Sequence, residues 1–223
     1  PRQQYSANLE YQIVRARVVG HYAPNKADLV LEYERLLEYS TSEFTRDTNR
    51  YALAIAYYEN QQFSQASNTL APLLEKDPNR ISYAVTLAEI LTEQNEPEQA
   101  INFLQRHLAI NPGNNALTMA YVDALIESRA YTSASEAMER HSVSRPNDFQ
   151  LWYKLAETQG QAGNISAVHQ ARAEYFRLLG DYQRARQQLR SALKIESDNG
   201  IAPAEEARLR QKIQEIEKLQ QNI

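Results

Sequence analysis

Apolar residues recur along this chain at intervals of three and four, a spacing that predicts helices joined by short turns rather than strands and hairpins. From Leu9 to Tyr22 the pattern carries Ile13, Val14, Ala16 and Val18, and from Lys26 to Tyr39 it carries Leu29, Val30, Tyr33, Leu36 and Leu37. The turn Ala23-Pro24-Asn25 between them predicts one helical hairpin. Farther on the pattern repeats itself: Pro78, Pro112 and Pro146 are spaced by 34 residues, as are Ala66, Ala100 and Ala134, and Phe63, Pro97 and Tyr131. Leu53-Ala54, Leu87-Ala88, Tyr121-Val122 and Leu155-Ala156 keep the same phase.

A 34-residue period is that of the tetratricopeptide repeat, in which each unit is a pair of antiparallel helices. Small side chains let the two helices approach, so Ala54 and Ala88 in first helices are expected to meet Ala66 and Ala100 in second helices. The bulky residue three before each second-helix alanine closes the turn end. The proline ends one repeat and sets φ for the next. The fold class expected is all-α, a tetratricopeptide-repeat superhelical solenoid of antiparallel helix hairpins. After Pro146 the phase shifts, because Trp152, Leu155 and Ala156 continue the pattern but the next small site is Ala185, one and a half periods beyond Ala134. Residues 165–179 are therefore expected to serve two repeats at once. The break Asp198-Asn199-Gly200 precedes a charged helix from Pro203 to Leu219, suited to capping a stack. The expected organisation is one continuous solenoid: a degenerate hairpin over 1–46, repeats over 47–197 and a capping helix over 198–223.

Composition narrows the function classes. No apolar run approaches the roughly 20 residues of a membrane span. A net charge of -4 gives no reason to expect nucleic acid or an anionic lipid surface as partner. With no cysteine, disulfides and thiolate metal sites are excluded. The opening Pro1-Arg2-Gln3-Gln4-Tyr5 has neither an initiator methionine nor a signal peptide, which suggests a piece of a longer protein. His21, His107, His141 and His169 form no metal-binding pair at helical spacing, so no metal or other cofactor is expected in this chain. Gly160 and Gly163 lack the lysine of a phosphate loop and read as turn residues. Asn164-Ile165-Ser166 matches a glycosylation sequon but reads better as a helix cap. No catalytic residue is expected, and the chain is read as a binding module rather than an enzyme.

In such a stack the first helices line the concave face, where extended peptides or partner helices are taken. Phase assigns that lining to Tyr51, Ile55 and Tyr58, then Val85, Glu89 and Thr92, then Met119, Asp123 and Ile126, and finally Tyr153 and Glu157. This set is aromatic and acidic, which disfavours a clamp for a terminal carboxylate and suits apolar or aromatic segments with basic neighbours. A second candidate is the basic run Arg172, Arg177, Arg184, Arg186 and Arg190, with Lys194, either a dock for an acidic surface or a solvated helix face.

Three stretches carry a resemblance: Glu10-Tyr11-Gln12-Ile13-Val14-Arg15-Ala16-Arg17-Val18; Tyr51-Ala52-Leu53-Ala54-Ile55-Ala56 with Ala71-Pro72-Leu73-Leu74; and Gln170-Ala171-Arg172-Ala173-Glu174-Tyr175 with Leu179-Gly180-Asp181-Tyr182-Gln183-Arg184-Ala185. In these the chain resembles the C-terminal repeat domain of the periplasmic zinc metalloproteases that include the beta-barrel assembly-enhancing protease of Gram-negative bacteria. The resemblance implies a periplasmic parent, with zinc and a His-Glu-x-x-His helix in a catalytic domain before Pro1. The present domain would then recognise outer-membrane barrel proteins, their assembly machinery or its own catalytic domain. The alternative is a freestanding scaffold or co-chaperone in secretion or pilus assembly, in the periplasm or the cytoplasm.

Overall fold

The structure is a computed structural model that describes residues 2–200 and 202–221. Among the described residues it is all-helical, with twelve helices in chain order. They are α1 (Arg2–Tyr22), α2 (Lys26–Glu38), α3 (Glu43–Glu59), α4 (Phe63–Lys76), α5 (Ile81–Glu93) and α6 (Pro97–Ile110), then α7 (Asn115–Glu127), α8 (Tyr131–Ser142), α9 (Phe149–Gln161), α10 (Ile165–Leu178), α11 (Tyr182–Asp198) and α12 (Pro203–Gln221). Contacts group the chain into two compact units, Pro1–Ser128 and Arg129–Ile223.

In the first unit α3 pairs with α4 and α5 with α6, while α4 packs on α5 and α6 on α7. The alanines read as close-approach sites are fully enclosed: Ala54, Ala66 and Ala100 have no exposed surface and Ala88 has 1%. Larger side chains fill the layers between them. Leu70, Tyr83 and Leu104 are buried, each contributing roughly 1.5–3 kcal/mol by leaving water. Phe63, Pro97 and Tyr131 are each the first residue of a second helix, so the repeat's bulky position marks helix starts.

The first helix departs from the expected pairing. Both α2 and α1 pack on α3, and α1 continues along the inner face to α5, where Glu10 meets Arg80 at 2.6 Å. Gly20 marks the tightest approach: a Cβ there would stand 2.6 Å from Cγ2 of Ile55. In the second unit α8 packs on α9, α9 on α10, α10 on α11 and α11 on α12. Helix α10 thus touches both α9 and α11, with Ala173 and Ala185 in one buried cluster with Leu189 and Leu209.

The turns within hairpins share one backbone feature. Gln61, Asn95, Arg129 and Gly163, spaced by 34 residues, all have positive φ, at 59°, 62°, 59° and 78°, and Gly180 follows at 77°. At Gln61 the turn is a Schellman cap, with Gln62 N–H donating to Tyr57 O at 2.8 Å and Gln61 N–H to Tyr58 O at 2.9 Å. Glycine takes this conformation freely, while glutamine and arginine adopt it at a cost.

Candidate protein-binding surface

In the first unit the inner face divides into a covered part and an open part. The covered part lies under α1. Leu9, Ile13 and Ala16, on one face of that helix, are buried in a cluster with Tyr51, Ile55 and Tyr83. Tyr51 has no exposed surface and Ile55 has 3%, so these two expected groove residues present nothing to a partner. A helix of the same chain covers them.

Polar groups fasten α1 there. The Arg17 guanidinium contacts Glu89 through both nitrogens, at 3.2 and 2.5 Å, and Thr86 Oγ1 at 2.8 Å. Its Nε donates to Tyr51 Oη at 3.1 Å, and that hydroxyl meets Thr86 Oγ1 at 2.8 Å. Thr86 in turn donates to the Ser82 carbonyl at 2.9 Å. Burial pushes the Tyr51 hydroxyl up, against the opposing pull of Arg17 and the Thr86 hydrogen bond. The Tyr51 ring also packs 5.6 Å from that of Tyr83.

The open part is a trough beside α1. One stretch, about 690 Å3, is lined by Val14, Ile81, Val85 and Ala116 together with Glu10 and Arg80. The next, about 460 Å3, shares Val85 and Ala116 and adds Tyr58, Glu89, Met119 and Asp123. Thr92 and Glu93 lie on its rim, so six of the expected residues (Tyr58, Val85, Glu89, Thr92, Met119 and Asp123) share one depression. Its field is negative: burial first, then Glu89, Glu93 and Glu59, push the Tyr58 hydroxyl up to about 12 against Arg17. An apolar floor under a negative rim can seat an apolar side chain whose neighbour is basic.

Sequence reasoning did not single out the outer stripe of α1. Tyr11, Val14, Val18 and Tyr22 are 66%, 59%, 52% and 77% exposed and follow helical spacing, so α1 is apolar on two sides. The signal was in the sequence, because a helix with apolar residues on two sides has a second surface to bury.

In the second unit Tyr153 stands half exposed on α9, and the Glu157 carboxylate hydrogen-bonded to its hydroxyl pushes it up. Its ring is 5.5 Å from Tyr175, which also lies 6.4 Å from Phe149 and 5.4 Å from Phe176. Phe149 and Tyr175 thus join Tyr153 in an aromatic surface that the sequence reading only half named. The basic run is largely neutralised. Arg177 pairs with Glu174 at 2.7 Å, Arg184 with Asp181 at 3.3 Å, and Arg186 and Arg190 with Glu217 of α12 at 3.6 and 3.2 Å. Arg172, exposed on α10, has no such bridge among the described residues.

No group of three or more His, Asp or Glu side chains among the described residues is placed to hold a metal, and no described helix is long and apolar enough to cross a membrane. His107 and His141 end equivalent second helices and are buried. Asn164 caps α10, accepting from Ala167 N–H at 3.3 Å, while Ser166 is buried.

Comparison with known proteins agrees with the fold. A sequence model of tetratricopeptide repeats matches residues 91–158, and one of the anaphase-promoting complex, cyclosome, subunit 3 matches residues 27–107. A relative in Vibrio cholerae is 26% identical over 204 residues, 92% of this chain and 42% of its own length. The beta-barrel assembly-enhancing protease of Escherichia coli K12 is 25% identical over 217 residues, 96% of this chain and 43% of its own. The chain thus spans about two fifths of the relatives it matches. Among solved structures, a tetratricopeptide repeat protein of Parabacteroides merdae aligns with a TM-score of 0.54 at 13% identity, over 91% of this chain and 84% of its own.

Proposed function

For a tetratricopeptide-repeat chain homologous along most of its length to the beta-barrel assembly-enhancing proteases, we propose the role of partner-recognition arm. It acts in the periplasm, joined to a zinc metallopeptidase whose catalytic residues lie outside this sequence. Its partners are outer-membrane barrel proteins in transit or the machinery that assembles them. The observation that carries this reading is the open trough of the first unit, where Val85, Ala116 and Met119 form an apolar floor under the Glu89 and Asp123 rim. A depression built from side chains of successive repeats reads an elongated partner, since each repeat supplies one step of the surface.

The test is site-specific. A photocrosslinker at Met119 is expected to capture an outer-membrane β-barrel protein diluted from urea, whereas one at Val143, 82% exposed on the second unit, is not. With the crosslinker kept at Met119, Val85→Glu, at unchanged helical content, is expected to lower that capture about tenfold. Equal yields from the two positions would overturn the assignment.

A further inference from the structure

Side chains from all five helices of the second unit, α8 to α12, border a cavity of about 380 Å3 that the recognition role does not use. Part of its lining is apolar: Trp152 and Leu155 from α9, Ala167 and Ala171 from α10. The Trp152 indole N–H already donates to the Pro146 carbonyl at 3.0 Å, so that residue offers a ligand ring surface rather than a donor.

The charges around the cavity are unequal in how they are matched. Lys212 lies 2.9 Å from Glu174, and Arg177 holds the same carboxylate at 2.7 Å. Arg208 lies 2.6 Å from Glu205 and donates to Gln170 at 3.0 Å. Both cations that line the cavity are therefore matched by carboxylates of the chain itself. Two of the acids are not. Glu139 and Glu196 line the same cavity from α8 and α11, and among the described residues neither belongs to an ion pair. Glu139 accepts a hydrogen bond at 2.7 Å, from the uncharged Gln159 amide. The charge that this lining lacks is positive.

We propose that the cavity takes the side chain of an arginine presented by a partner peptide or protein. The guanidinium is held by Glu196 and Glu139 and stacks on the Trp152 ring, while the methylene stem lies along Leu155, Ala167 and Ala171. A basic side chain needs such a divided lining, because its stem is apolar and its head charged. Arginine fits better than lysine, since the guanidinium is planar, less strongly hydrated, stacks on aromatic rings and donates in pairs to carboxylates. The cavity volume is that of a site for one small group rather than of a groove for a chain segment.

Trp152 is the chain's only tryptophan, so its emission reports on this cavity alone. The probe is acetyl-Gly-Arg-Gly-amide, whose caps leave the guanidinium as its sole charge, titrated into the intact 223-residue chain. A saturable change in Trp152 emission is expected. The same peptide with citrulline, equal in shape but uncharged, is expected to bind about tenfold more weakly or worse. Glu196→Gln and Glu139→Gln, each with an unchanged urea midpoint, are expected to weaken the arginine peptide about tenfold. No saturable change up to about 10 mM peptide would overturn the proposal. An equal response to citrulline would do so too, because ring stacking without charge recognition would then explain the signal. So would affinity unchanged in both glutamine variants. Crosslinking at Met119 in the first unit is independent of these outcomes, so the recognition role and the arginine site stand or fall separately.

Discussion

Replacing Gln61 by glycine is expected to stabilise the protein, although Gln61 is an exposed turn residue. Its φ of 59° places a side chain in the left-handed region, where Cβ crowds the following carbonyl. That crowding costs roughly 1–2 kcal/mol for an L-residue. Glycine removes it but has more backbone freedom to lose on folding, worth about 0.5–1 kcal/mol, so the net gain is about 0.5–1 kcal/mol. The hydrogen bonds of the turn are untouched, because Gln61 N–H to Tyr58 O and Gln62 N–H to Tyr57 O run through the backbone. At this chain length such a gain raises Tm by about 1–4 °C. A urea titration followed by circular dichroism reads it as a higher midpoint with an unchanged slope. Gly163→Ala, at φ 78° with open space around the new Cβ, is the matched reverse and is expected to lower the midpoint. A midpoint that falls for Gln61→Gly, or stays put for Gly163→Ala, would show that the turn is not held in this conformation.

Other substitutions separate structural from binding roles. Tyr51→Ala removes a fully buried ring and the hydroxyl that joins Arg17 to Thr86, and is expected to cost about 3–5 kcal/mol; a stable variant with altered partner binding would return Tyr51 to the surface. Burial, then Arg106, holds His107 below its ordinary value near 6.5, and its Nδ1 has no hydrogen-bond partner among the described residues. A depressed histidine contributes stability that is complete above pH 6.5 and lost as pH falls toward the lowered folded value, because the unfolded chain takes up the proton first. His107→Leu is therefore expected to flatten the stability profile below pH 6.5, measured by urea midpoints across that range. Burial pushes Glu174 up, but Lys212 at 2.9 Å and Arg177 outweigh it and hold the carboxyl below 4.5. Its stability is present above 4.5 and lost as pH drops through the lowered value, so Lys212→Met is expected to move acid unfolding to higher pH.

Repeat phase made most of the fold legible, because the packing rule is local and recurs. An alanine at position 66 or 100 sits where two helices of one hairpin touch, and the hairpin lies within a single stretch of sequence. The same locality identified α10 as a helix shared by two neighbours, since Ala173 and Ala185 lie in adjacent helices. The turn strain was not legible. Glycine at 163 and 180 announces a left-handed residue, but glutamine at 61 and arginine at 129 take the same conformation with no compositional mark. At Gln61 the cap hydrogen bonds and the packing of α3 on α4 override the residue's own preference.

The covering of Tyr51 and Ile55 by α1 was not legible in the sequence, for one physical reason. Whether Tyr51 faces the inner side follows from residues three and four positions away, but whether water or protein covers it depends on a helix arriving from elsewhere in the chain. Arg17 reaches Tyr51 across 34 residues and Glu89 across 72. The two sides of α1 contain the missing information: Leu9, Ile13 and Ala16 need one surface to cover them, and Tyr11, Val14, Val18 and Tyr22 remain for another. Once the first side is buried against Tyr51, Ile55 and Tyr83, the second side stays exposed and its Val14 lines the open trough beside Glu10 and Val85.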